Sequence, residues 1–134
     1  MSAAVRLDNS AIEMLAEMAM DGAPDLVPAV ISIFLDTTPA ILDTLERSVA
    51  SGDLRALQRA SHDLKSSSAT LGARLMSVRC ARLEAIGRAG LASETKEAVA
   101  GIIAEFNAVR PMLAAFLPPG HARREERPLE MAPG

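Results

Sequence analysis

Tryptophan and tyrosine are absent from this chain of 134 residues, and phenylalanine occurs only three times. Stacking platforms for single strands or folded RNA need aromatic faces, so that mode of recognition is excluded. The single cysteine, Cys80, leaves no partner for an internal disulfide and too few thiols for a Cys-rich metal cluster. A lone thiol fits a reducing cytosol. The formal net charge is −3, so the chain as a whole has no basic field of the kind that wraps nucleic acid. No apolar run is read as reaching transmembrane length, and the start "MSAAVRLDNS" lacks the apolar core of a secretory leader. The expectation is a cytoplasmic protein that does not engage a membrane. Strand-like alternation is missing as well, and Leu, Ala, Met, Glu and Arg dominate, which predicts an all-α chain.

Five helical segments can be placed. The first follows Asp8 or Asn9, either able to accept a backbone N–H as a cap, with Ile12, Leu15, Ala16 and Ala19 on one face. "DGAP" at residues 21–24 stops it. The methionines Met14, Met18 and Met20 read as gap-filling core. The second segment begins near Asp25, and Leu26, Val30, Ile33, Phe34, Thr37, Ile41 and Leu45 form its stripe. Pro39 lies inside that stripe and should kink or split the helix. "SGD" at residues 51–53 ends it, and Asp53 can cap the next.

The third segment carries Leu54, Leu57, Ser61, Leu64, Ser68 and Leu71 inward, with either Gly72 as terminator or a continuation into "ARLM". The fourth buries Met76, Cys80, Leu83 and Gly87 and ends near Gly90. The fifth, after Ser93, has the clearest stripe, from Val99 through Ile102, Ile103, Phe106, Val109 and Leu113 to Phe116 and Leu117. Pro111 should bend it late. Short turns between amphipathic helices imply an antiparallel up-and-down four-helix bundle, with the N-terminal helix capping one end. The bundle should span residues 8–117. Residues 118–134, rich in proline and charge, should form a disordered tail containing the second histidine, His121.

"SHDLKSSSATLGA", Ser61 to Ala73, holds the other histidine. With Leu57, Leu64 and Leu71 marking the core direction, His62 lies roughly 150° away on the helical wheel. It shares the outer side with Arg55, Gln58, Arg59, Lys65, Ser66 and Ala69. Ser66 and Ala69 are small, so another surface can approach the ring. Arg59 and Lys65 flank it and would offset negative charge placed there. An exposed imidazole is largely neutral near pH 7, and a neutral ring nitrogen is a nucleophile. Such a group suits phosphoryl transfer, where positioning and charge neutralisation matter most. Metal-bundle chemistry would need inward-facing His and Glu pairs, and the chain has no such pair. Neither a Gly-rich phosphate loop nor a Ser/His/Asp arrangement is present.

"HDLKSSSATLGA" resembles the signature of histidine-containing phosphotransfer (HPt) domains, H-x-L-K-G-S-[SA]-x-x-L-G-A. His62, Leu64, Lys65, Ser67, Ser68, Leu71, Gly72 and Ala73 match. Ser66 stands where the family has glycine, and its hydroxymethyl group would either crowd a partner or hydrogen-bond a phosphate. The resemblance implies that His62 takes a phosphoryl group from a receiver-domain aspartate through its outer nitrogen, Nε2, and passes it to a second receiver. Lys65 would neighbour the phosphoryl oxygens. The implied partners are response-regulator receiver domains and a hybrid histidine kinase. Docking would use Arg55, Gln58, Arg59, Ser66 and Ala69. The chain would act as a monomeric carrier rather than a turnover enzyme, without its own cofactor, and Mg would sit on the receiver. The competing reading is a non-catalytic adaptor that binds and inhibits a receiver or kinase domain.

Overall fold

The computed structural model describes residues 6–18 and 25–118, and within them every regular element is helical. The five helices are α1 (Asn9–Met18), α2 (Leu26–Ser51), α3 (Leu54–Thr70), α4 (Arg74–Ala89) and α5 (Thr95–Ala114), with a 3₁₀ turn at Ala92–Glu94 before α5. Helices α2 to α5 each pack on the next in sequence, and α5 closes back on α2; α1 lies against α2. The stop expected at residues 21–24, together with Ala19 and Met20, lies outside the described residues, as does the expected tail beyond Pro118, including His121.

Local chemistry sets the helix starts. Asp8 Oδ1 accepts from the Ser10 backbone N–H at 3.0 Å and from its hydroxyl at 2.6 Å, which makes Asp8 the residue that opens α1. Asp53 Oδ1 accepts from the Ala56 N–H at 3.0 Å and starts α3. Asp25 precedes α2 without a side-chain cap.

The core is aliphatic, with Leu35, Leu45, Leu57, Leu64, Met76, Leu83, Ile102 and Phe106 among its most buried members. Cys80 is buried in it, and desolvation pushes its thiol up to about 12, so it is inert. The inward faces expected for α3, α4 and most of α5 are observed.

Several expectations need correction. The buried stripe of α2 is Ile31, Phe34, Leu35, Thr38, Leu42, Leu45 and Ser48, whereas Ile33 is 62% exposed and Thr37 is on the surface. The expected stripe was thus turned by about one residue, roughly 100°. The N-terminal half of α2 is apolar on several sides, and polarity gave no guide because Thr38 is tolerated inside: its hydroxyl donates to the Phe34 carbonyl at 2.6 Å. Pro39 does not split the helix, whose flanking residues are pinned in the core. Second, Met14 and Met18 are 65% and 71% exposed, because α1 turns only Ile12, with Leu15 half-buried, toward the bundle; Ala16, expected inside, is exposed too. Third, α2 does contain a stretch long and apolar enough to cross a membrane by length and composition, with mean hydropathy 1.5. Of that stretch, 28% is buried inside the bundle. Phe116, past the end of α5, is also partly exposed at 39%.

Two glycines hold the site's frame together. Gly72, between α3 and α4, has φ 76°, and its carbonyl accepts from the Asp8 N–H at 2.7 Å. A Cβ there would collide with the Asp8 carbonyl oxygen, so the glycine seats the N-terminal segment as well as ending α3. On α4, a Cβ at Gly87 would meet Leu57 Cδ2 at 3.2 Å, which is how closely α3 and α4 approach.

Candidate functional site

His62 projects from the middle of α3, with its side chain 56% exposed, as the wheel required. Its ring is held by a residue that the sequence reading missed. Glu84, on α4, brings Oε2 to 2.9 Å from His62 Nδ1. The other carboxylate oxygen, Oε1, accepts from Lys65 Nζ at 2.8 Å. Arg88, one turn further along α4, donates to Oε2 at 3.2 Å. The Glu84 side chain is only 11% exposed, so one nearly buried carboxylate gathers three nitrogen groups.

The electrostatics follow from this geometry. The Lys65 hydrogen bond is the main force holding the Glu84 carboxyl below the usual carboxylate range; His62 adds to it, while burial opposes both. Glu84 is therefore ionised at neutral pH and can only accept. The shared hydrogen therefore lies on His62 Nδ1, so in the neutral tautomer the lone pair is on Nε2. Ser77 adds a brace: its hydroxyl donates to the Lys65 carbonyl at 3.1 Å and ties α4 to α3 at the level of the site.

The other residues singled out from the sequence fall as follows. Arg55, Arg59, Ser66 and Ala69 are exposed on α3, and Gln58 is half-buried toward α4, where its Cβ lies near Gly87. Lys65 is 33% exposed. Ser66 turns its hydroxyl back to the His62 carbonyl at 3.3 Å, along its own helix. Ser68 is fully buried and donates to the Leu64 carbonyl at 2.6 Å. Glu84 carried one legible signal: it sits one turn from both Cys80 and Gly87 on the flank of a buried stripe, where an acidic residue needs a partner.

The fold and the site define a class: helical domains that display one histidine, held by its inner nitrogen, on an open helix face. More particularly, the chain belongs to the Hpt domain family, which matches residues 29–115. Among solved structures it is similar to histidine-containing phosphotransfer protein B (HptB) from Pseudomonas aeruginosa PAO1. The two share 26% identity with a TM-score of 0.76, over 84% of this chain and 95% of that one. No curated protein sequence matches the chain. It is thus a histidine phosphotransfer protein of the kind that works in two-component phosphorelays.

Proposed function

We propose that His62 accepts a phosphoryl group from the aspartyl phosphate of a receiver domain and returns it to the aspartate of another. The observation that carries this reading is the Glu84–His62 contact, which leaves Nε2 as the free nucleophile. In the forward step the Nε2 lone pair attacks phosphorus, the N–P bond forms, and the acyl O–P bond breaks to release the receiver's carboxylate. The ring keeps its Nδ1 hydrogen and becomes cationic, and the adjacent Glu84 carboxylate balances that charge. Onward transfer reverses these steps on a second receiver.

Lys65 has two tasks in this scheme. At rest it neutralises Glu84; when the phosphoryl group arrives, its ammonium shares its charge with the phosphoryl oxygens. Arg55, Gln58, Arg59, Ser66 and Ala69 form the surface on which the receiver lands. Ser66, with its hydroxyl folded onto its own helix, leaves the approach open. The divalent metal belongs to the receiver. The chain is a monomeric cytoplasmic carrier rather than a turnover enzyme, served by a hybrid histidine kinase, and its four main helices form an antiparallel bundle capped by α1.

Incubation with phosphorylated receiver domains tests the proposal. Acid-labile phosphate should appear on His62 by mass spectrometry and as a phosphoramidate signal in 31P NMR. A folded His62→Gln protein should accept none. Normal phosphate acceptance by His62→Gln would overturn the reading. Binding of receivers without transfer in either protein would instead establish an adaptor.

A further inference from the structure

Helix α4 carries charge on both of its flanks. Glu84 projects toward α3 and holds the histidine. On the flank turned away from His62, Arg79, Arg82 and Ile86 face α5. Between them and Glu94, Glu97 and Ala98 lies a groove of about 260 Å³. Ile86 is buried and Ala98 half-buried, so the groove has an apolar side as well as charged ones.

The charges are sorted along the length of the groove. Arg79 lies across α5: a Cβ at Gly101 would stand 3.1 Å from its Nη1, so the glycine leaves the room in which the guanidinium sits. The turn from α4 to α5 closes the opposite end, beside Glu94. The two walls therefore run in opposite senses. Glu94 and Glu97 stand toward the turn, Arg79 stands furthest from it, and Arg82 lies between. Along α5 the acidic positions and the Gly101 level are separated by roughly 6–10 Å of helical rise. Arg79, Arg82, Glu94 and Glu97 take part in no ion pair among the described residues, so both signs face the groove.

We propose that this groove binds a small extended zwitterion, a carboxylate and an ammonium joined by a short methylene chain. Arg79 and Arg82 take the carboxylate, to which a guanidinium offers paired N–H donors. Glu94 and Glu97 take the ammonium. Ile86 and Ala98 pack against the methylenes between the two ends. A dianion would be repelled by the glutamates and a diamine by the arginines, so the sorted charges reject both. The volume lies below that of pockets for drug-sized ligands and suits one small metabolite. The site shares no residue with the phosphotransfer site and does not depend on phosphorylation of His62.

The test is a titration of the 15N-labelled full chain, followed by amide shifts, with 6-aminohexanoate as the probe. Hexanoate and pentylamine, each carrying one of its two ends, serve as half-probes. The zwitterion should give saturable shifts centred on residues 79–101. Each half-probe should bind about tenfold more weakly, the effect of losing a hydrogen-bonded charged contact. Arg79→Gln and Glu97→Gln should each weaken the zwitterion by a similar factor. Gly101→Ala should weaken it too, because the new Cβ displaces the guanidinium, yet its Tm should not fall, since alanine favours a helix. Circular dichroism checks that the other variants fold, and all should accept phosphate on His62 as wild type does. Absence of saturable shifts, or half-probes that bind as tightly as the zwitterion, would overturn the proposal. So would undiminished binding by Arg79→Gln or Gly101→Ala. Self-association in sedimentation velocity, abolished by Arg79→Gln, would assign the groove to a second copy of the chain and overturn the proposal as well.

Discussion

At the residue scale the reactive group was legible and its support was not. His62 announced itself through the outward side of an amphipathic helix and the small residues around it. Glu84 did not, because the contact that gives it meaning spans 22 residues of sequence. Periodicity places a residue on a face but does not say what the neighbouring helix offers it. The carboxylate is also where pH enters. Held below its ordinary range by Lys65 and then His62, Glu84 contributes stability that is fully present above the range in which an unfolded glutamate titrates. That contribution fades as pH falls through this range toward the lower folded value. Glu84→Gln should therefore melt below wild type at neutral pH, and the gap should narrow on acidification, as thermal melts across pH will show. The same variant cannot hold Nδ1–H with an ionised oxygen. Transfer to His62 should slow by about tenfold or more, an effect typical of a lost charge-stabilising contact.

At the element scale, legibility tracked how one-sided each helix is. Helix α3 separates its charged and apolar faces so sharply that its inward set was readable apart from Leu54, which is only half-buried. Helix α2 is apolar on several sides, so more than one stripe could be drawn, and burial was decided by its neighbours. Helix α1 is short and turns few residues inward, which leaves its methionines on the surface. The turn between α3 and α4 was read as a simple stop. In the structure Gly72 both adopts a left-handed conformation and leaves space for the backbone of Asp8. Gly72→Ala should thus carry two penalties, strain at positive φ and a collision with main chain. A loss of about 1–3 kcal/mol is expected, measured by urea denaturation. Because α1 would be unseated, amide exchange should rise in α1 before it rises in α3.

At the scale of the whole molecule, the N-terminal segment acts as a strap. The Asp8 N–H reaches the α3–α4 turn, Arg74 on α4 donates to Asp8 Oδ2 at 3.0 Å, and Arg6 Nε reaches both oxygens of Glu105 on α5, at 2.9 and 3.2 Å. Composition hid this, since single charges far apart in sequence give no pattern. The contact that matters most is Arg6–Glu105, because Glu105 is buried, with a side chain 3% exposed, whereas Arg6 is half-exposed. Removing Arg6 strands a nearly buried carboxylate without the guanidinium that faces it, which costs more than the pair itself contributes. Arg6→Ala should lower stability by about 1–3 kcal/mol, the usual penalty for an unsatisfied buried polar group. If stranding is the cause, removing the carboxylate too must restore most of the loss. Arg6→Met with Glu105→Leu should therefore be clearly more stable than Arg6→Ala in denaturant titrations. Equal stability of the two proteins would mean that Glu105 finds water or another donor, and that the strap is held by the Asp8 contacts alone.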